Sequence, residues 1–159
     1  MNTKNNVNLF GAFNSQKYSH EKISKYSHRT LIKILHIDDD LNQLLFTKLF
    51  LEEYDPKLTV ESVTNPTEVV SVLSSGQFDC IVSDYQMEEM DGITLTKRVR
   101  KDSDVPIIIY TGRGSEEVES VAREAGANGY VQKETDPIHY RGLYAQIISV
   151  IRGKAKKII

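Results

Sequence analysis

Five short apolar runs, each followed by a helix-like stretch, constrain this chain more than any other feature. The runs are LIKILHI (31–37), LTVES (58–62), CIVS (80–83), IIIY (107–110) and YVQ (130–132). Runs of this kind suit strands buried on both faces. Helical patterns fill the gaps. LNQLLFTKLFLEE (41–53) places Leu41, Leu44, Leu45, Lys48 and Leu49 at helical spacing, a mostly apolar face. Asn65, Pro66 and Glu68 read as the cap, first-turn proline and capping-box acid of a second helix. A third is expected from Gly92 to about Lys101. Ser115-Glu116-Glu117 opens a fourth, with acids where the helix dipole favours them, and Gly126 ends it. Asp136-Pro137 repeats the cap-then-proline signal. The last helix is expected to reach about Arg152, with Gly153 as its cap.

Strand then helix, five times over, implies a parallel sheet covered by helices on both faces. Right-handed crossovers leave few topologies. The expected fold is α/β: a flavodoxin-like, doubly wound (βα)5 three-layer sandwich with a parallel five-stranded sheet of order 2-1-3-4-5. The expected boundaries are a flexible N-terminal arm over 1–29, the folded domain over 30–153 and a basic tail over 154–159.

Ligands of such sheets bind beyond the carboxyl ends of the strands, where the strand order reverses. Strand 1 ends in Asp38-Asp39-Asp40 and strand 3 in Asp84. The topology therefore gathers carboxylates in one cleft, where like charges raise each other's pKa values and a hard divalent cation would relieve them. A helix cap accounts for one of the three aspartates, and Asp40 is the expected one. Asp84 is open to three readings: turn former, metal ligand or nucleophile. Strand 4 ends in Tyr110-Thr111-Gly112 and strand 5 in Gln132-Lys133, adding a hydroxyl and an ammonium to the same edge. A carboxylate can attack phosphorus, and a metal, an ammonium and a hydroxyl can then stabilise the transferring oxygens.

Composition narrows the alternatives. A formal net charge of −2 disfavours electrostatic binding to nucleic acid or an anionic membrane. The single cysteine, Cys80, excludes an internal disulfide framework and reads as a small buried hydrophobe. His36 reads as a packed strand residue, and no histidine pair has zinc-ligand spacing. No apolar run approaches a membrane span and residues 1–30 lack a signal-like stretch, so cytoplasm is the expected compartment.

The acidic pair in HIDDD, the aspartate in SDYQMEEMDG, the threonine in YTG and the lysine in GYVQK resemble the signature of receiver domains of two-component response regulators, which are CheY-like. The resemblance covers roughly residues 31–152. It implies Asp84 as the phospho-acceptor for a histidine kinase or phosphotransfer protein. Asp38, Asp39, Asp84 and the backbone carbonyl of Gln86 would hold Mg²⁺. Thr111 and Lys133 would bind the phosphoryl oxygens, and Thr111 with Tyr130 would form the conformational switch. Gln86 and Arg113 stand where receivers tune dephosphorylation. Two departures stand out. Glu88 replaces a common Pro, and Glu134 replaces the Pro that usually follows the lysine across a cis bond, leaving the Lys133-Glu134 peptide open.

The expectation is a non-enzymatic signalling domain with no effector of its own. It would act on a protein partner or by self-association, with 115–152 as the candidate dimer face. Two rivals remain: a Mg²⁺-dependent phosphohydrolase with an aspartyl-phosphate intermediate on Asp38, and a degenerate receiver acting by binding alone.

Overall fold

The computed structural model describes residues 31–157. The expected arm over 1–29 lies outside them. Five strands alternate with five helices: β1 (Ile32–Ile37), α1 (Leu41–Tyr54), β2 (Leu58–Val63), α2 (Val69–Ser75), β3 (Cys80–Ser83), α3 (Gly92–Val99), β4 (Ile107–Thr111), α4 (Glu116–Glu124), β5 (Gly129–Gln132) and α5 (His139–Lys157). All strand pairs are parallel and the order is β2-β1-β3-β4-β5. The fold class expected from the sequence is the one observed.

The period-two alternation of the strands divides the core. Ile34, Cys80, Val82, Ile108 and Tyr110 face α1 and α5, where Leu51, Tyr140, Leu143 and Ile147 pack on them. Leu35, Ile37, Ile81 and Ile107 face the other way, against Val69 of α2 and Leu95 and Val99 of α3. Ile109 on that face meets Ala122 of α4. Only the central strands are buried on both faces. β2 alternates buried and exposed positions because it is an edge, so LTVES departs from the expectation for fully buried strands.

Local chemistry sets the helix ends. Asp40 caps α1, its carboxylate accepting from Asn42 N–H at 2.8 Å. Asn65 accepts from Thr67 N–H, but Pro66–Glu68 form a single 3₁₀ turn before α2 becomes regular. Ser115 caps α4. At its far end Ala127 N–H bonds Ala122 C=O and Gly126 N–H bonds Arg123 C=O, a Schellman motif with Gly126 at φ +104°. Asp136 takes Ile138 N–H at 2.9 Å, and α5 is regular from His139.

Two helix expectations are corrected. Gly153 does not end α5, which runs through it to Lys157, so most of the expected tail is helical. The continued helix carries Lys154 to 2.7 Å from Asp104. Asp91, directly before the expected start of the third helix, caps α3 by accepting from Thr94 N–H at 2.7 Å. Of the apolar face expected from Leu41, Leu44, Leu45, Lys48 and Leu49, Leu44 is buried but Leu41, Leu45 and Leu49 are exposed, and Thr47 and Leu51 join Leu44 in the core. Apolar residues occupy both sides of α1, so packing against β2 and α5 chooses the buried one.

Arg100 braces the opposite end of the sheet from Asp84. Its half-buried guanidinium donates to the carbonyls of Gly126, Ser103 and Val105 and to Asn128 Oδ1. That ties the α3–β4 and α4–β5 loops to one side chain.

Candidate functional site

The parallel register assembles the site. Ile37 pairs with Ser83, so the next residues, Asp38 and Asp84, emerge side by side, and Asp84 N–H donates to Ile37 C=O at 2.9 Å. Thr111 pairs with Gln132, and Lys133 N–H donates to Thr111 C=O at 2.9 Å. Residues distant in the chain thus leave the sheet at one level.

One carboxylate oxygen from each of Asp38, Asp39 and Asp84 falls within a mutual 4.8 Å. Lys133 Nζ lies 2.6 Å from Asp38 Oδ2 and 3.5 Å from Asp84 Oδ1. Asp38 is almost fully buried and also accepts from Asp40 N–H at 2.9 Å. Burial pushes the Asp38 carboxyl above its ordinary range; the Lys133 hydrogen bond opposes this and the Asp84 charge adds to it. Three carboxylates converge, only Asp38 and Asp84 are paired with the ammonium, and Asp84 Oδ1 is buried without a hydrogen-bond donor. This donor set fits a hard divalent cation such as Mg²⁺, which favours carboxylate oxygens and keeps several waters.

Close packing supports the acceptor. Ser83 Oγ–H donates to the Asp84 backbone carbonyl at 2.9 Å. Gly92 N–H donates to Tyr85 C=O at 2.8 Å, and a Cβ on Gly92 would collide with Asp84 backbone oxygen. The sequence reading missed this demand on Gly92, because only the fold brings the first turn of α3 against the residue ending β3. Glu88 also gains a purpose. Its N–H, which a proline would lack, donates to Asp39 Oδ2 at 3.3 Å.

The other expected residues lie around this centre. Thr111 is buried at the end of β4, where its hydroxyl accepts from Arg113 N–H at 3.2 Å. Arg113 reaches Gln86 Oε1 at 3.3 Å, so the two expected tuning residues meet. Tyr130 is half-buried against the Ile93, Ile109 and Ala122 cluster. Its phenol lies over Gly114, where any side chain would collide with it. Among the described residues no peptide bond is cis, so Lys133-Glu134 is trans and Lys133 still reaches both aspartates.

His36 lies on β1, two residues before Asp38. It is fully buried, and burial followed by the Lys133 charge pushes its pKa down to about 3, so the ring is neutral.

Comparison with known proteins matches residues 34–143 to the response regulator receiver domain. The chain belongs to this family. Receivers are signalling domains, and this one shares 31% identity over 121 residues with the uncharacterized transcriptional regulatory protein YclJ of Bacillus subtilis, covering 76% of this chain and 51% of that protein. It shares 34% identity over 125 residues with the CpxR homolog of Haemophilus influenzae, covering 77% and 52%. The receiver thus spans about half the length of these curated relatives. A receiver domain protein from Clostridium thermocellum superposes with a TM-score of 0.71 at 26% identity, covering 81% of this chain and all of that one. Among the described residues no helix is long and apolar enough to cross a membrane.

Proposed function

We propose that this receiver accepts a phosphoryl group on Asp84 from a histidine kinase or phosphotransfer protein, in a Mg²⁺-dependent reaction, and relays the signal through a conformational switch. The carrying observation is the convergence of the Asp38, Asp39 and Asp84 carboxylates on one another, with the Lys133 ammonium against Asp38 and Asp84. An Asp84 carboxylate oxygen forms the new bond to phosphorus while the bond from phosphorus to the donor breaks, and the donor leaves with its electron pair. Asp38, Asp39, Asp84 and the Gln86 carbonyl would hold Mg²⁺, which supplies charge neutralisation for the transferring oxygens when bound. Lys133 adds a second positive charge, and the Thr111 hydroxyl turns from Arg113 N–H to a phosphoryl oxygen.

Movement of Thr111 draws on the loop carrying Arg113 and Gly114, and Gly114 lies under Tyr130. Tyr130 is already packed inward, so phosphorylation selects between packings of one ring rather than building a new state. Arg113 and Gln86 bridge the mouth of the site and would govern access of water to the acyl phosphate.

The donor's docking surface is the exposed face of α1. Leu41, Leu45, Phe46 and Leu49 stand clear of the core, beginning directly after the acidic triplet. A partner seated there would hold its phosphoryl group over Asp84. Output through 115–152, to another protein or a second copy, belongs to the same reading, as does a cytoplasmic location.

Intact mass after incubation with acetyl phosphate and Mg²⁺ tests the proposal. One added phosphoryl group, absent from Asp84→Asn and from a Mg²⁺-free sample, is expected. A label on Asp38 would instead favour the phosphohydrolase. No label, together with no response to beryllofluoride, would favour a degenerate receiver.

A further inference from the structure

One buried ring touches both ends of the loop between β5 and α5. Tyr110, fully buried on β4, presents its face to Lys133, whose Nζ lies 5.2 Å from the ring centroid. His139, the first residue of α5, bonds the Tyr110 hydroxyl through Nε2. The His139 Nδ1 lies 2.6 Å from the Asp136 carbonyl. A carbonyl only accepts, so Nδ1 carries the proton, and in the neutral ring Nε2 offers its lone pair to the Tyr110 hydroxyl. Burial pushes the Tyr110 phenol pKa up, keeping the hydroxyl a donor.

We infer that Tyr110 and His139 form a clamp that positions Lys133 for phosphoryl transfer. This rests on the reading of Lys133 as the cation that binds phosphoryl oxygens. A lysine has a long, flexible stem, and its ammonium acts well only where its range is restricted. Two carboxylates hold it from one side. The Tyr110 ring, favourable to a cation over its face, bounds it from another. Core packing holds the ring, the hydrogen bond to His139 ties its hydroxyl to α5, and the Asp136 carbonyl orients His139. Residues 133–139 therefore form a loop closed through side chains as well as backbone. When a phosphoryl group draws Lys133 toward Asp84, the same contacts carry the displacement to the first turn of α5. Tyr110 and His139 are thus positioning residues that never touch the reacting atoms.

Three variants test the clamp. Tyr110→Phe removes one oxygen, His139→Leu removes the acceptor, and His139→Gln restores an acceptor near Nε2. The clamp predicts that Tyr110→Phe and His139→Leu slow labelling by acetyl phosphate about tenfold, with Mg²⁺ affinity close to wild type. His139→Gln recovers most of the rate. The Lys133 ammonium resonance in ¹⁵N NMR shifts in the two defective variants and returns in His139→Gln. Wild-type rates in both Tyr110→Phe and His139→Leu would overturn the inference, as would a His139→Gln variant as slow as His139→Leu. If the wild-type chain takes no phosphoryl group, the functional reading fails, and the Lys133 resonance decides alone: an unmoved signal in all three variants overturns the clamp.

Discussion

The Lys133 ammonium lies 2.6 Å from an Asp38 carboxylate oxygen across 95 residues of sequence. Both side chains are largely buried, and together they tie the end of β5 to the end of β1. Like charge from Asp39 and Asp84 surrounds the pair. A bound cation relieves this crowding, which leads to the first expectation.

Mg²⁺ should stabilise the fold. At ten times its dissociation constant, a ligand that binds only the native state adds about 1.4 kcal/mol. Thermal melts with and without Mg²⁺ measure the gain, and Asp39→Asn should abolish most of it. An equal gain in that variant would remove Asp39 from the site.

Acid should destabilise the protein partly through His36. The ordinary imidazole pKa is 6.5, and burial lowers it to about 3 in the folded state. Between those values the unfolded chain binds a proton that the native ring refuses. Stability present above pH 6.5 is therefore lost as pH falls toward 3, by about 1.4 kcal/mol per unit for this group. In His36→Leu the decline, followed by urea melts, should be shallower by about one proton. An unchanged slope would assign the acid sensitivity elsewhere.

Gly92→Ala should disturb the acceptor directly. The added Cβ meets the Asp84 backbone oxygen, and backbone yields less cheaply than the tip of a flexible side chain. A loss of about 1–3 kcal/mol is expected from such overpacking, with slower labelling of Asp84. A variant with wild-type melting temperature and labelling would show that β3 and α3 separate more readily than their packing implies.

Leu45→Lys and Leu49→Lys should separate docking from chemistry. Both positions are exposed, so stability should change by no more than about 0.5 kcal/mol. Labelling by acetyl phosphate should persist. Transfer from a phosphorylated kinase should fall about tenfold or more, because the lost contacts serve only the macromolecular donor. Equal transfer in both variants would move the docking face away from α1.

Much of this was legible before any coordinates. Ile107-Ile108-Ile109 and Cys80-Ile81-Val82 read as strands buried on both faces because two-sided burial demands continuous apolar residues. Asp40 and Asn65 were readable as caps, and Ser115 as a helix start, because a short polar side chain satisfies nearby N–H groups within a few residues. Strand order followed from the repeat of strand and helix, and the site followed from the order. Asp38, Asp84, Thr111 and Lys133 each ended a strand, and parallel strands end together.

Where the sequence fell short, long-range geometry decided. Nothing local distinguishes the two apolar sides of α1; contact with β2 and α5 buried Leu44 and Leu51 and left Leu41, Leu45 and Leu49 in solvent. Gly153 carried a stop signal, yet α5 continues past it and brings Lys154 to Asp104. The Glu88 N–H gained its partner from Asp39, 49 residues away. His139 and Tyr110 looked unremarkable apart and acquired their relation only when β4 and α5 met. Sequence alone determined the elements, their order and the chemistry at the strand ends, because those depend on backbone hydrogen bonding and side-chain alternation over a few residues. Tertiary structure decided which helix face is buried, what surrounds each carboxylate and what holds Lys133, because those depend on atoms that only folding brings within van der Waals reach.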